Sequence, residues 1–70
     1  MQLLMAKKGE ERKIFKLIVR DEDKKRLEHL GFLSGETIRV ISNVNEIFVL
    51  EVKGARLAID EMTASKILVY

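Results

Sequence analysis

Cysteine is absent from this sequence, so neither a disulfide staple nor a thiolate metal site can add stability. Its absence fits a reducing compartment. Proline is absent too, and there is no Ser/Gly-rich linker or low-complexity tract. Residues 1–70 therefore read as a single domain with no internal boundary. No apolar run approaches the ~20 residues that cross a bilayer. The apolar opening from Met1 to Ala6 is too short for a signal peptide before the charges of Lys7 and Lys8. A cytoplasmic protein is the expectation. Aromatic residues make up only 6% of the chain and do not alternate with basic ones, which weighs against a stacking platform for single-stranded nucleic acid.

What remains is apolar packing. Hydrophobic residues are 47% of the sequence, too many for a disordered tail. A chain this short buries only ~60% of its unfolded surface, so its core is marginal and benefits from a partner or from weak self-association. The net charge of +2 is unevenly spread. Residues 1–26 hold nine Lys/Arg against five acids, a balance of +4, whereas residues 27–70 hold four against six, a balance of −2. The plainest meaning is a solvated mixed-charge surface. The functional meaning is a basic face for an acidic partner, nucleic acid or membrane headgroups.

The most informative stretch runs Arg26-Leu-Glu-His-Leu-Gly-Phe-Leu-Ser-Gly35. It reads as the last turn of a short helix with Leu27 and Leu30 inward, stopped by Gly31 in a left-handed conformation. Phe32 and Leu33 then tuck back toward a core, and Gly35 turns the chain into a strand. Upstream, Gly9 turns the chain into Arg12–Val19, which is β-rich but alternates imperfectly. A bulge or a strand buried on both faces would explain it. Any of Asp21, Glu22 and Asp23 can cap the helix over Lys24–Leu30. Glu36–Ser42 alternates, with Ile38 and Val40 on one face. Asn43-Val44-Asn45 reads as a tight turn. Glu46–Lys53 alternates with Phe48, Leu50 and Val52 on one face, and Gly54 turns the chain into Arg56–Ile59. Asp60 caps a helical turn across Glu61–Ser65 with Ala64 inward, and Ile67–Val69 forms a last strand. Met1, Met5 and Met62 fill the core or its rim. The expected fold is mainly β: a small SH3-like β-barrel of about five strands, with one short α-helix between the first and second and a short helical turn before the last. Closing the sheet removes aggregation-prone edges.

Little in this chain points to catalysis. The carboxylate pairs Glu10/Glu11, Asp21/Asp23 and Asp60/Glu61 sit at turns and helix starts, where they cap backbone amides. Ser34, Thr37, Ser42, Thr63 and Ser65 stand in no motif with a base. The four glycines are scattered rather than gathered in a phosphate loop. His29, the one histidine, lies on the helix away from Leu27 and Leu30, and is a solvent-exposed residue before it is a metal ligand. No enzymatic activity, no cofactor and no metal site are expected.

The ordered residues resemble the FeoA family, ferrous iron transport protein A, along nearly the whole chain. The positions that carry the resemblance are Leu3 or Leu4 and Gly9, Arg26-Leu27, Leu30-Gly31-Phe32 with Gly35, Ile38 and Val40, Leu50, Val52 and Gly54, Leu57-Ala58-Ile59, and Ala64, Ile67 and Val69. Many members carry proline where this chain has Ser34, and many have a longer loop where this chain has Asn43-Val44-Asn45. The resemblance implies an SH3-like barrel without enzymatic activity, cytoplasmic or membrane-associated through its partner. It also implies an accessory or regulator of ferrous iron uptake that binds FeoB, the membrane ferrous iron transporter with a cytosolic GTP-binding domain. A similar barrel forms the C-terminal domain of metal-dependent repressors, whose DNA-binding helices this chain has no room for.

Two function classes follow. The first is a protein-binding module acting on FeoB, through the region around the helix, with Lys24, Lys25, His29 and Leu33 as candidate exposed contacts. The alternative is a nucleic-acid-binding small barrel, motivated by the +4 balance of residues 1–26, although the resemblance implies no nucleic acid. A third possibility is direct sensing of Fe²⁺ through His29 and nearby carboxylates.

Overall fold

The computed structural model describes residues 1–70. A 3₁₀ turn at Leu3–Met5 leads into β1 (Glu11–Leu17), α1 (Asp21–His29), β2 (Thr37–Val44), β3 (Ile47–Val52), β4 (Ala55–Asp60), α2 (Glu61–Ser65) and β5 (Ile67–Val69). The five strands form one antiparallel sheet in the order β4-β3-β2-β1-β5. This is the expected mainly β arrangement, with the long helix between β1 and β2 and the short one before β5. The β4 and β5 edges do not pair with each other, so hydrogen bonding does not close the sheet and the expected loss of both edges is not met.

The core is one cluster of thirteen buried apolar residues. Phe48, Leu50 and Val52 project into it from β3 at the period of two that a strand imposes. Ile38 and Val40 come from β2, Ile14 from β1, Ile67 and Val69 from β5, and Leu3, Ala6, Leu27, Phe32 and Ala64 close the ends. The three methionines lie outside it: Met1, Met5 and Met62 are exposed, because the 3₁₀ turn buries Leu3 and α2 buries Ala64 instead.

The helix stop follows the glycine logic. The Gly31 N–H donates to the Glu28 carbonyl at 3.0 Å and the Phe32 N–H to the Leu27 carbonyl at 3.0 Å, with Gly31 at φ +105°. These are the two bonds of a Schellman ending, and the buried Leu27 and Phe32 supply its apolar contact. Leu30 is 48% exposed, because Leu27 alone faces the core from this short helix. Leu33 is 37% exposed, so the apolar plug is Phe32 by itself. At the other end of α1 the N-cap is Arg20, without a side-chain bond. Asp21, Glu22 and Asp23 occupy the first turn, where they oppose the positive end of the helix dipole rather than cap it.

Both hairpins turn on two residues with positive φ, Asn45 and Glu46 (+55° and +65°) and Lys53 and Gly54 (+52° and +77°). Such primed turns match the twist of the strands they join. The first turn lies further along than Asn43-Val44-Asn45: β2 runs on so that Asn43 pairs with Phe48 and Val44 with Ile47. At α2, the Asp60 carboxylate accepts the Thr63 N–H at 2.8 Å, the cap expected from the sequence.

Candidate functional site

The irregularity of the first strand resolves as a bulge, and the bulge builds the candidate site. Ile14 pairs with Val69 and Lys16 with Leu68, so Phe15 is an extra residue opposite β5. A bulge re-aims side chains at the point where it breaks the alternation. Ile14 is therefore buried while Phe15 and Lys16, adjacent in sequence, are both exposed. The same bend lets β1 change partners, from β2 over Glu11–Lys13 to β5 over Ile14–Leu17.

Phe15 meets Tyr70 across this bend, with ring centroids 5.1 Å apart and planes inclined at 59°. The tilted geometry suits the aromatic quadrupoles. The Tyr70 N–H donates to the Lys13 carbonyl at 3.0 Å, and this bond holds the ring beside β1. On the other flank the segment after α1 is laced to the bulge. The Ser34 hydroxyl donates to the Phe15 carbonyl at 3.2 Å, and the Gly35 N–H to the Ile14 carbonyl at 2.8 Å. Leu33 immediately precedes this tethered Ser34 and is exposed.

Between α1 and β1 lies a crevice of ≈ 180 Å³, lined by Ile14, Phe15, Lys16, Leu17, Phe32, Ser34, and Lys24 and Glu28 one helical turn apart. It is too small for a nucleotide or other sizeable ligand, which takes roughly 300 Å³ or more. A shallow hollow continues from Lys16 and Leu17 along Ile18, Val19 and Arg20 to Lys66. Lys13, Lys16, Arg20, Lys24 and Lys66 make no ion pair, whereas Arg12, Arg26, Arg39, Lys53 and Arg56 are each bound to a carboxylate. Glu28 is the one acid lining either depression. The result is a face that alternates free positive charge with exposed Phe15, Ile18 and Tyr70.

The four residues singled out from the sequence divide between two surfaces. Lys24 lines the crevice, and Leu33 sits in sequence between two of its lining residues, Phe32 and Ser34. Lys25 and His29, one turn apart on the helix, lie on the side of α1 away from Leu27 and are exposed to solvent. Phe15 and Tyr70 were not anticipated. The broken alternation of Arg12–Val19 was the local signal for Phe15, and nothing local marks Tyr70. Phe15, next to Lys16 in sequence, is thus joined in space by Tyr70 from the far end of the chain.

Two carboxylates are held below their usual range, and both are structural. Glu10 accepts the Lys7 N–H at 2.6 Å, the main cause, and its other oxygen meets the Arg12 guanidinium at 2.6 Å. Asp60 is held down by hydrogen bonding from Thr63, first its side chain and then its backbone amide. No group of three or more His, Cys, Asp or Glu side chains is gathered to hold a metal ion, and no helix is long and apolar enough to cross a membrane.

Comparison with known proteins places this geometry. The model of the FeoA domain matches residues 1–70, and the chain belongs to that family. No curated protein matches the sequence. Among solved structures it is similar to the FeoA protein from Chlorobium tepidum, at 21% identity over 100% of this chain and 69% of that one, with a TM-score of 0.92. It is also similar to FeoA from Stenotrophomonas maltophilia, a prokaryotic SH3 domain protein solved with zinc, at 24% identity over 100% of this chain and 89% of that one, with a TM-score of 0.86. A manganese-dependent transcriptional repressor shares the fold at 14% identity, over 99% of this chain and 40% of the repressor, with a TM-score of 0.84. The expected SH3-like fold is the observed one.

Proposed function

We propose, with FeoA-family membership as the premise, that this chain is an accessory of ferrous iron uptake that works by docking rather than by catalysis. Its partner is the cytosolic part of an FeoB-type ferrous iron transporter, which places its work at the inner side of the membrane. The single observation that carries the reading is the face around the β1 bulge, where exposed Phe15, Ile18 and Tyr70 sit among unpaired Lys16, Lys24 and Lys66. Aromatic anchors ringed by charge are the usual make-up of a protein-docking surface, and free positive charge selects an acidic patch on the partner. Lys24 belongs to this face and Leu33 adjoins it through Ser34, whereas Lys25 and His29, on the other side of α1, lie outside it. The Stenotrophomonas maltophilia relative, for which a role as a ferrous iron transport activating factor is suggested, supports the direction of the reading.

The test is a pull-down of the purified chain with the transporter's cytosolic domain, paired with ferrous iron uptake in cells lacking the chain. The reading expects capture, and uptake that is altered by the deletion and restored by the wild-type chain. No capture, with normal uptake in the deletion strain, removes it. A second reading takes its support from the same aromatics standing among lysines: a small barrel that holds nucleic acid. It requires RNA binding that weakens steeply with salt, and absence of binding at low salt eliminates it.

A further inference from the structure

The sheet has two outer edges, and they are treated differently. The edge of β5 is covered: Gln2 bridges to Leu68, the Val69 N–H donates to the Met1 carbonyl at 2.7 Å, and Met1 N donates to the Val69 carbonyl at 2.7 Å. The edge of β4 is bare. It pairs with β3 from Ala55 to Asp60 without a bulge, and no strand lies on its other side. In the primed turn over Lys53 and Gly54 the Ala55 N–H points to β3, since it closes the turn onto Val52. The alternation of an antiparallel ladder then turns the N–H and C=O groups of Arg56 and Ala58 outward.

An uncovered edge of this kind is a template for another strand, and proteins normally blunt it with proline, a bulge or inward-pointing charge. β4 has none of these. It offers instead an exposed outer face reading Arg56, Ala58, Asp60, with half-buried Leu57 and Ile59 on the core side. This pattern complements itself. Two copies of β4 can align their outward groups antiparallel about a twofold axis through any residue from 56 to 60. An axis at residue 57 or 59 sets Ala58 opposite Arg56 or Asp60 and forms no ion pair. An axis at residue 56 or 60 places like charges opposite each other. An axis at Ala58 places Arg56 of one copy opposite Asp60 of the other, twice over. It also sets the small Ala58 against Ala58 at the centre and Leu57 against Ile59 on the core side. Opposite charges facing each other across a strand pair favour it, and like charges disfavour it.

We propose that β4 pairs antiparallel with β4 of a second copy about a twofold axis at Ala58, joining the two sheets into one. Six residues a side make a small contact, so the dimer is weak and reversible and grows with concentration.

Sedimentation equilibrium and amide NMR spectra of the full chain over a concentration series, up to about millimolar, test it. The expected result is a monomer–dimer equilibrium with concentration-dependent amide shifts centred on residues 56–60. Ala58→Pro removes an outward N–H that the monomer does not use, and it weakens association by roughly tenfold or more. Arg56→Asp and Asp60→Lys each place like charges across the axis and abolish association alone. Mixed together they pair opposite charges at both positions, and association returns. Asp60→Lys also removes the α2 cap, so Ala58→Pro carries the test alone if circular dichroism shows that variant to be loosened. A wild-type chain still monomeric at the highest concentration, or association that Ala58→Pro leaves unchanged, overturns the proposal. So does a mixture of two folded charge variants that associates no better than either alone.

Discussion

Gly31 lies against Val52 so closely that a Cβ on the glycine would stand 3.2 Å from Val52 Cγ1. The contact joins the end of α1 to the core side of β3, and the φ of +105° needed to make it is one that L side chains rarely adopt. Helix stop and core packing thus depend on the same missing methyl group.

Gly31→Ala therefore costs more than ~1 kcal/mol, through backbone strain and the crowding of Val52 together. In a domain of this size that lowers the melting temperature by at least about 4–8 °C. Gly54→Ala, at φ +77° with nothing within 4 Å, costs less because only the strain remains. Thermal melts of the two variants give the ordering.

Phe32 and Leu33 are neighbours with different fates. Phe32→Ala empties a fully buried site and costs about 3–5 kcal/mol, a large share of the roughly 4–10 kcal/mol that stabilises a domain of this length. Leu33→Ala and Leu30→Ala, both partly exposed, stay within about 1 kcal/mol. Urea titrations separate them.

Acid stability follows from Glu10 and Asp60, whose folded-state pKa values both lie below those of the unfolded chain. Each contributes stability that is fully present above the ordinary carboxylate value of about 4 and is lost as pH falls through the depressed folded value. Asp60 is exposed and Glu10 only half-buried, so the effect is small. Glu10→Gln and Asp60→Asn each flatten the fall in melting temperature below about pH 4, while leaving the dependence above pH 5 unchanged.

How much of this was legible in the sequence depends on the range of the interaction. The Schellman stop at Gly31, the Asp60 cap and the alternation of β3 are set by residues within a few positions, and all were readable. The helix face was half readable. Leu27 is the one residue α1 buries, while Leu30 forms its C-cap and stays half exposed. The first hairpin turn lies later than the chemistry of Asn43-Val44-Asn45 indicates, because pairing with Phe48 and Ile47 holds Asn43 and Val44 as strand. Lys24 and Leu33 were legible as exposed positions on the helix and after its stop. Phe15 and Tyr70 were not, since only the β1–β5 pairing and its bulge bring them together on the surface.

Fe²⁺ binding provides a check on the role of His29. His29 is exposed on α1 and belongs to no gathered group of three or more His, Cys, Asp or Glu side chains. Calorimetric titration with ferrous iron is expected to give the same heats for the wild type and His29→Ala. A heat that the substitution abolishes would instead assign metal sensing to this side chain.

The docking face itself is tested most directly by titrating the isotopically labelled chain with the cytosolic domain of an FeoB-type transporter and following its amide resonances. The account predicts perturbations over Lys13–Val19, Lys24–Glu28, Leu33–Gly35 and Tyr70, with affinity reduced about tenfold by Phe15→Ala and lowered further by added salt. An unperturbed spectrum at saturating partner, or perturbations confined to the opposite surface with Phe15→Ala binding as well as the wild type, would contradict it.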